Sequence, residues 1–169
     1  MIEGDDFILN SGFLYPKPSD IIPDFHLASS ESTSVRISDY RGFKNLVLVF
    51  AGDPDDKPCR RFLAWLAQHY YELIQENAEV LAIIYGSVEE AKKVKHKGNL
   101  LFPVLADEDG QAHLAVGGLT SHGKAAITIY ITDRFNEIYS VYRADSGVAL
   151  PSLEEMLSKL SFIEMQCPE

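Results

Sequence analysis

The most constraining feature of the chain is Leu46-Val47-Leu48-Val49-Phe50, five consecutive apolar residues. A run like this has no polar side to offer to water, so it belongs in a strand covered on both faces. Glu79 to Tyr85 reads as a second buried strand. Between the two the period changes. From Cys59 onward Phe62, Leu66, Tyr70 and Leu73 make one helical stripe, with Leu63 and Ile74 beside it and Arg61, Gln68, Glu72 and Gln75 opposite. Trp65 falls toward the polar side. Strand, helix, strand is a parallel βαβ unit, which needs a covered sheet.

The flanking segments extend this unit. Asp24 to Ala28 and Val35 to Ile37 read as two short strands of a hairpin, separated by a Ser-rich turn. Ser87-Val88-Glu89-Glu90 is a capping box that starts a short basic-ended helix, with Gly98 placed to close it. Phe102 to Leu105 is a short strand. Ala125 to Thr132 is a longer one, turned by Asp133-Arg134-Phe135-Asn136 into Glu137 to Tyr142. Ser152 caps a last helix carrying Leu153, Met156, Leu157 and Leu160 on one face. The order β-β-β-α-β-α-β-β-β-α is α/β. Its closing antiparallel hairpin and helix give a thioredoxin-like pattern: an N-terminal β-hairpin and a central mixed sheet covered by helices. Residues 1–22, with Pro16 and Pro18, read as an irregular arm, and residues 23–169 as one domain.

Charge narrows the partners. The 169 residues hold 25 acidic and 15 basic side chains, a net charge of −10. Binding to nucleic acid or anionic lipid rests on Lys and Arg displacing counterions, so neither is an expected partner. The longest apolar stretch, Leu46 to Gly52, is strand-sized and short of a membrane span. Met1 to Asp6 is acidic and lacks the basic head of a signal peptide, so the expected location is the cytoplasm.

Chemistry centres on thiols. Cys59 and Cys167 lie 108 positions apart, which excludes a CxxC pair and a cysteine cluster for zinc or iron–sulfur. Cys59 stands where the buried strand's loop, Gly52-Asp53-Pro54-Asp55-Asp56-Lys57-Pro58, meets the first long helix. The helix dipole with Arg60 and Arg61 favours a thiolate there, whereas Asp53, Asp55 and Asp56 oppose it; geometry sets the sign. Cys59 is also in phase with the apolar stripe, so inert packing stays open beside reactivity. The acidic loop lacks the ligand spacing of a calcium loop and reads as solvated. His26, His69, His96, His113 and His122 show no two-histidine metal spacing, so no metal and no cofactor is expected.

An ordered set of segments carries a family resemblance: Ile22-Pro23-Asp24-Phe25-His26-Leu27, Ile37-Ser38-Asp39-Tyr40-Arg41-Gly42, the strand ending in Phe50, Cys59, Phe102-Pro103-Val104-Leu105-Ala106-Asp107, and Tyr130-Ile131-Thr132-Asp133. Together they resemble peroxiredoxins of the alkyl hydroperoxide reductase and thiol-specific antioxidant type. The resemblance implies an antioxidant thiol peroxidase or thiol–disulfide oxidoreductase. In it Cys59, nine residues after Phe50, is the peroxidatic group, and Cys167 matches the resolving cysteine, which often pairs across a homodimer. It also implies a hydroperoxide substrate and a thioredoxin-like or small-thiol reductant. Three positions depart from the family. Asp56 stands where a Thr usually meets the peroxide, Gly52 replaces a loop proline, and Ile127 lies near the expected arginine, with Lys124 and Arg134 as spatial substitutes. These departures keep a second reading open, a catalytically silent thioredoxin-fold interaction module. For Cys167 the alternative is an incidental thiol in a frayed tail.

Overall fold

A computed structural model describes residues 15–119, 126–144 and 150–166. The N-terminal hairpin forms from β1 (His26–Ser29) and β2 (Ser34–Arg36), and one 3-10 turn (Ile37–Tyr40) leads into β3 (Asn45–Gly52). Then follow α1 (Lys57–Gln68), α2 (Tyr70–Ile74), β4 (Ala78–Ile84), α3 (Val88–Lys97), β5 (Val104–Ala106), α4 (Gln111–Ala115), β6 (Thr128–Thr132), β7 (Ile138–Arg143) and α5 (Leu153–Gln166). The seven strands make one sheet in the order β2-β1-β5-β4-β3-β6-β7. β3, β4 and β5 are mutually parallel, and the outer pairings are antiparallel. This is the mixed α/β sheet that the residue pattern implies. Among the described residues no helix is long and apolar enough to cross a membrane.

Alternation along β3 divides the interior into two cores. Val47, Val49 and Ala51 face α1 and α5, packing in one cluster with Cys59, Phe62, Leu66, Met156 and Leu160. Leu46, Leu48 and Phe50 face the other way, toward Ile37, Ala112, Val116 and Tyr130. All eight residues of β3 are buried, as a strand covered on both sides must be. The arm also joins the body. Ile21 bridges Glu137 on the β7 side, Ser19 N–H donates to the Ile138 carbonyl, and Ile22 is buried.

Several element boundaries differ from the sequence reading: β1 starts at His26 and not Asp24, and β2 ends at Arg36 because Ile37 opens the 3-10 turn. The helical stripe from Phe62 to Leu73 is interrupted at His69, whose φ/ψ of −110°/9° ends α1 before α2 begins. Tyr70, just past the break, donates its hydroxyl to Glu79 Oε1 at 2.7 Å. Pro103 has no N–H to give a ladder, so β5 starts at Val104 and not Phe102. β6 starts at Thr128 and not Ala125, because its last partner is Phe50 and β3 shifts register immediately beyond. The short α4 had no periodic signal. The capping box of α3 is present, with Ser87 Oγ accepting from Glu90 N–H and Glu90 Oε1 accepting from Ser87 N–H. After α3 the left-handed residue is Asn99 (φ 49°), and Gly98 keeps a right-handed φ of −83°.

Candidate functional site

The site is built at the end of β3. The β3–β4 register shifts between Phe50 and Gly52, which still pairs with Ile84, and Gly52 takes φ 77°, a region where a side chain is strained. The loop folds on itself, with Asp55 N–H donating to Asp53 Oδ1 at 2.9 Å and Asp56 N–H to the Asp53 carbonyl at 3.2 Å. α1 then starts at Lys57 with Pro58 in its first turn, where a missing N–H costs nothing. Cys59, the third residue, points inward and is 1% exposed, sharing its apolar cluster with Ala51, Leu63 and Ile127. It is a free thiol.

Geometry decides the sign that the sequence left open. Burial pushes the Cys59 thiol up, Asp56 and Asp53 push it further, and Arg60 pulls the other way; the result is about 12. Desolvation of the anion outweighs the helix terminus. The resting group is therefore a shielded, protonated thiol. Asp56 is the N-cap residue of α1, yet its side chain makes no capping bond. Asp56→Thr is expected to lower the Cys59 pKa by about one unit, because it removes the larger of the two carboxylate effects. A titration of thiolate absorbance reads this directly. An unchanged value would mean that the Asp56 carboxylate is screened from the sulfur.

Of the side chains proposed to serve Cys59, Arg134 lies elsewhere. Ile127 lies in the thiol's own cluster, so an aliphatic side chain stands where the resemblance calls for an arginine. Arg134 follows β6 at the end paired with Leu46, the opposite end of β3 from the loop, and its carbonyl accepts from Gly42 N–H. It is therefore no spatial substitute. Arg143 is at the correct end but donates to the Val116 carbonyl at 2.6 Å and the Tyr130 hydroxyl at 2.9 Å, both on the other side of the sheet. Lys124 and Cys167 lie outside the described residues.

Sequence reasoning missed a second buried polar group. His113 of α4 is fully buried, and its Nδ1 lies 2.7 Å from Asp107 Oδ2. Gly52 N–H donates to His113 Nε2 at 3.1 Å, which places the ring proton on Nδ1, where it is donated to the carboxylate. Asp107 also accepts from the backbone N–H groups of Ala112 and His113. Burial raises the Asp107 pKa, but the hydrogen bonds from the His113 side chain and the two backbone groups outweigh it, so the net direction is down. The edges of Phe50 and the ring of Tyr85 enclose the imidazole. His113 thus clamps the residue from which the Cys59 loop departs, working from the opposite face of the sheet. The nearest sequence signal was Asp107 at the end of its quoted segment.

Among the described residues no group of three or more His, Cys, Asp or Glu is arranged to hold a metal. Asp53, Asp55 and Asp56 are exposed, as expected of a solvated loop.

Residues 18–141 match a family model described as the AhpC/TSA family. The chain is similar to the thiol-disulfide oxidoreductase ResA of Geobacillus thermodenitrificans, with 32% identity over 96 residues, 56% of this chain and 54% of that protein. It is also similar to peroxiredoxin bcp1 of Schizosaccharomyces pombe, 26% identical over 92 residues, 54% of this chain and 47% of that protein. The chain spans about half the length of the curated relatives it matches. A crystal structure of Enterococcus faecalis AhpC superposes with a TM-score of 0.78 at 25% identity, covering 89% of this chain and 93% of that one.

Proposed function

Because the chain belongs to the AhpC/TSA family, we propose that it is a peroxiredoxin-type thiol peroxidase in which Cys59 is the reacting group. The observation that carries this reading is the placement of Cys59 in the first turn of α1, immediately beyond the glycine-bulged end of β3. The Cys59 thiolate attacks the distal oxygen of a hydroperoxide. The O–O bond breaks, the sulfur is oxidised to a sulfenic acid, and the alkoxide leaves as alcohol after taking a proton. One external thiol then displaces water to form a mixed disulfide, and a second thiol releases Cys59 in its reduced form. The buried protonated thiol makes opening of the first turn of α1 a condition for the first step. A cytoplasmic setting supplies such thiols.

In this reading the resolving thiol is external; Cys167, of the same chain or of a second copy in a homodimer, is the other source.

The test is stopped-flow hydroperoxide consumption with excess dithiothreitol. Wild type and Cys167→Ser should turn over at the same rate, and Cys59→Ser should fall to the uncatalysed rate. A wild type no faster than Cys59→Ser would overturn the peroxidase reading. The closed, protonated thiol and the aliphatic Ile127 favour the second reading, a thioredoxin-fold interaction module, which that result would select.

A further inference from the structure

Between the N-terminal half of α1 and the C-terminal half of α3 opens a cleft of about 640 Å³. Small-ligand sites commonly enclose ~300–1,000 Å³ over an apolar lining with a few convergent polar groups. The floor here is apolar, made by Leu63, Val94 and Leu100. Four cations border it: Arg60 and Arg61 from α1, Lys93 and Lys97 from α3. Among the described residues none of the four side chains has an ion-pair or hydrogen-bond partner.

The neighbouring lysines make the contrast. Lys92 pairs with Glu89 of its own helix at 3.3 Å and Lys95 with Glu31 of the β1–β2 turn at 3.1 Å, so the two lysines outside the cleft lining are neutralised. Lys93 and Lys97 are one turn apart, a spacing at which like charges repel. Two carboxylates also line the cleft, Asp55 and Glu90. Glu90 Oε1 is committed to the N-terminus of its own helix, where it accepts from the Ser87 N–H and hydroxyl. A local excess of positive charge over an apolar floor thus sits on a chain whose net charge is −10.

We propose that this cleft binds a free amphiphilic anion, with a carboxylate head among the four cations and an unbranched apolar chain over Leu63, Val94 and Leu100. Compact inorganic anions would leave the floor uncovered. A nucleotide would lack both a glycine-rich phosphate cradle and an aromatic face on which to stack. An extended anionic bilayer would face the repulsion of the whole chain. Cys59 points into the core and is not part of the lining, so the proposal stands apart from the peroxidase reading.

The test is isothermal titration of the full chain with sodium dodecanoate below its micellar concentration. Wild type and Cys59→Ser should bind one equivalent alike, with Kd of about 10–100 μM. Arg61→Glu/Lys97→Glu, two exposed positions, should bind at least about tenfold more weakly, and added salt should weaken the wild type. Acetate and dodecyltrimethylammonium should not bind. No binding by wild type at about 1 mM dodecanoate, equal binding of the cationic amphiphile, or undiminished affinity in the charge-reversed variant would overturn the proposal. Sedimentation of the protein with phosphatidylglycerol vesicles would assign the cleft to a membrane surface and overturn it too.

Discussion

Asp107→Ala is expected to lower the thermal unfolding midpoint by about 10 °C, the largest loss from any single polar side chain in the described structure. The carboxylate accepts three hydrogen bonds, from His113 Nδ1–H, His113 N–H and Ala112 N–H. Removing it leaves three buried N–H donors without an acceptor, about 1–3 kcal/mol each before relaxation recovers part of it, and each kcal/mol moves the midpoint by ~2–4 °C in a chain of this size. The pH dependence follows from the direction of the Asp107 shift. The folded-state pKa lies below the ordinary 3.8, so the stabilisation is complete above that value and is lost as pH falls toward the folded pKa. Asp107→Asn should therefore flatten the acid limb of a stability-against-pH curve measured by circular dichroism. A drop under about 2 °C for Asp107→Ala would mean that water replaces the carboxylate without cost, against the full burial of the pair.

Native Cys59 is expected to react with iodoacetamide at pH 7 at least about a thousandfold more slowly than in the denatured chain. Moving a thiol from its ordinary 9.0 to about 12 cuts the thiolate fraction by roughly that factor. Burial at 1% exposure adds a steric barrier. Cys167→Ser isolates the Cys59 signal. Stability carries the same signature. Above about pH 9 the unfolded chain releases the Cys59 proton and the folded one keeps it, so wild type loses stability as pH climbs toward 12. Cys59→Ser should lack this loss between about pH 9 and 10, before the buried tyrosines contribute. Native labelling as fast as denatured labelling would show α1 opening freely at its first turn.

How far the sequence carried the fold is visible element by element. β3 and β4 were legible because a strand buried on both faces shows as an unbroken apolar run. α3 and α5 were legible because Ser87–Glu90 and Ser152 announce helix starts through hydrogen bonds spanning three residues. α4 was not legible. Its five residues are too few for a period, and its start is held by Asp107, five and six positions upstream of the N–H groups it accepts. The break at His69 was equally hidden, since the apolar phase continues across it to the buried Leu73.

By itself the sequence determined what depends on neighbours along the chain: the α/β order, the hairpin, the caps, and the position of Cys59 where a strand's loop becomes a helix. Only the tertiary structure decided what depends on neighbours in space. The direction of the Cys59 shift rests on desolvation by burial in a core cluster whose members include Ile127, 68 positions away. The clamp on Gly52 comes from His113, 61 positions along and on the other face of the sheet. The cleft sets Arg60 and Arg61 beside Lys93 and Lys97, more than 30 positions away. Charge and solvation act through distance and dielectric, and neither can be read from separation along the chain.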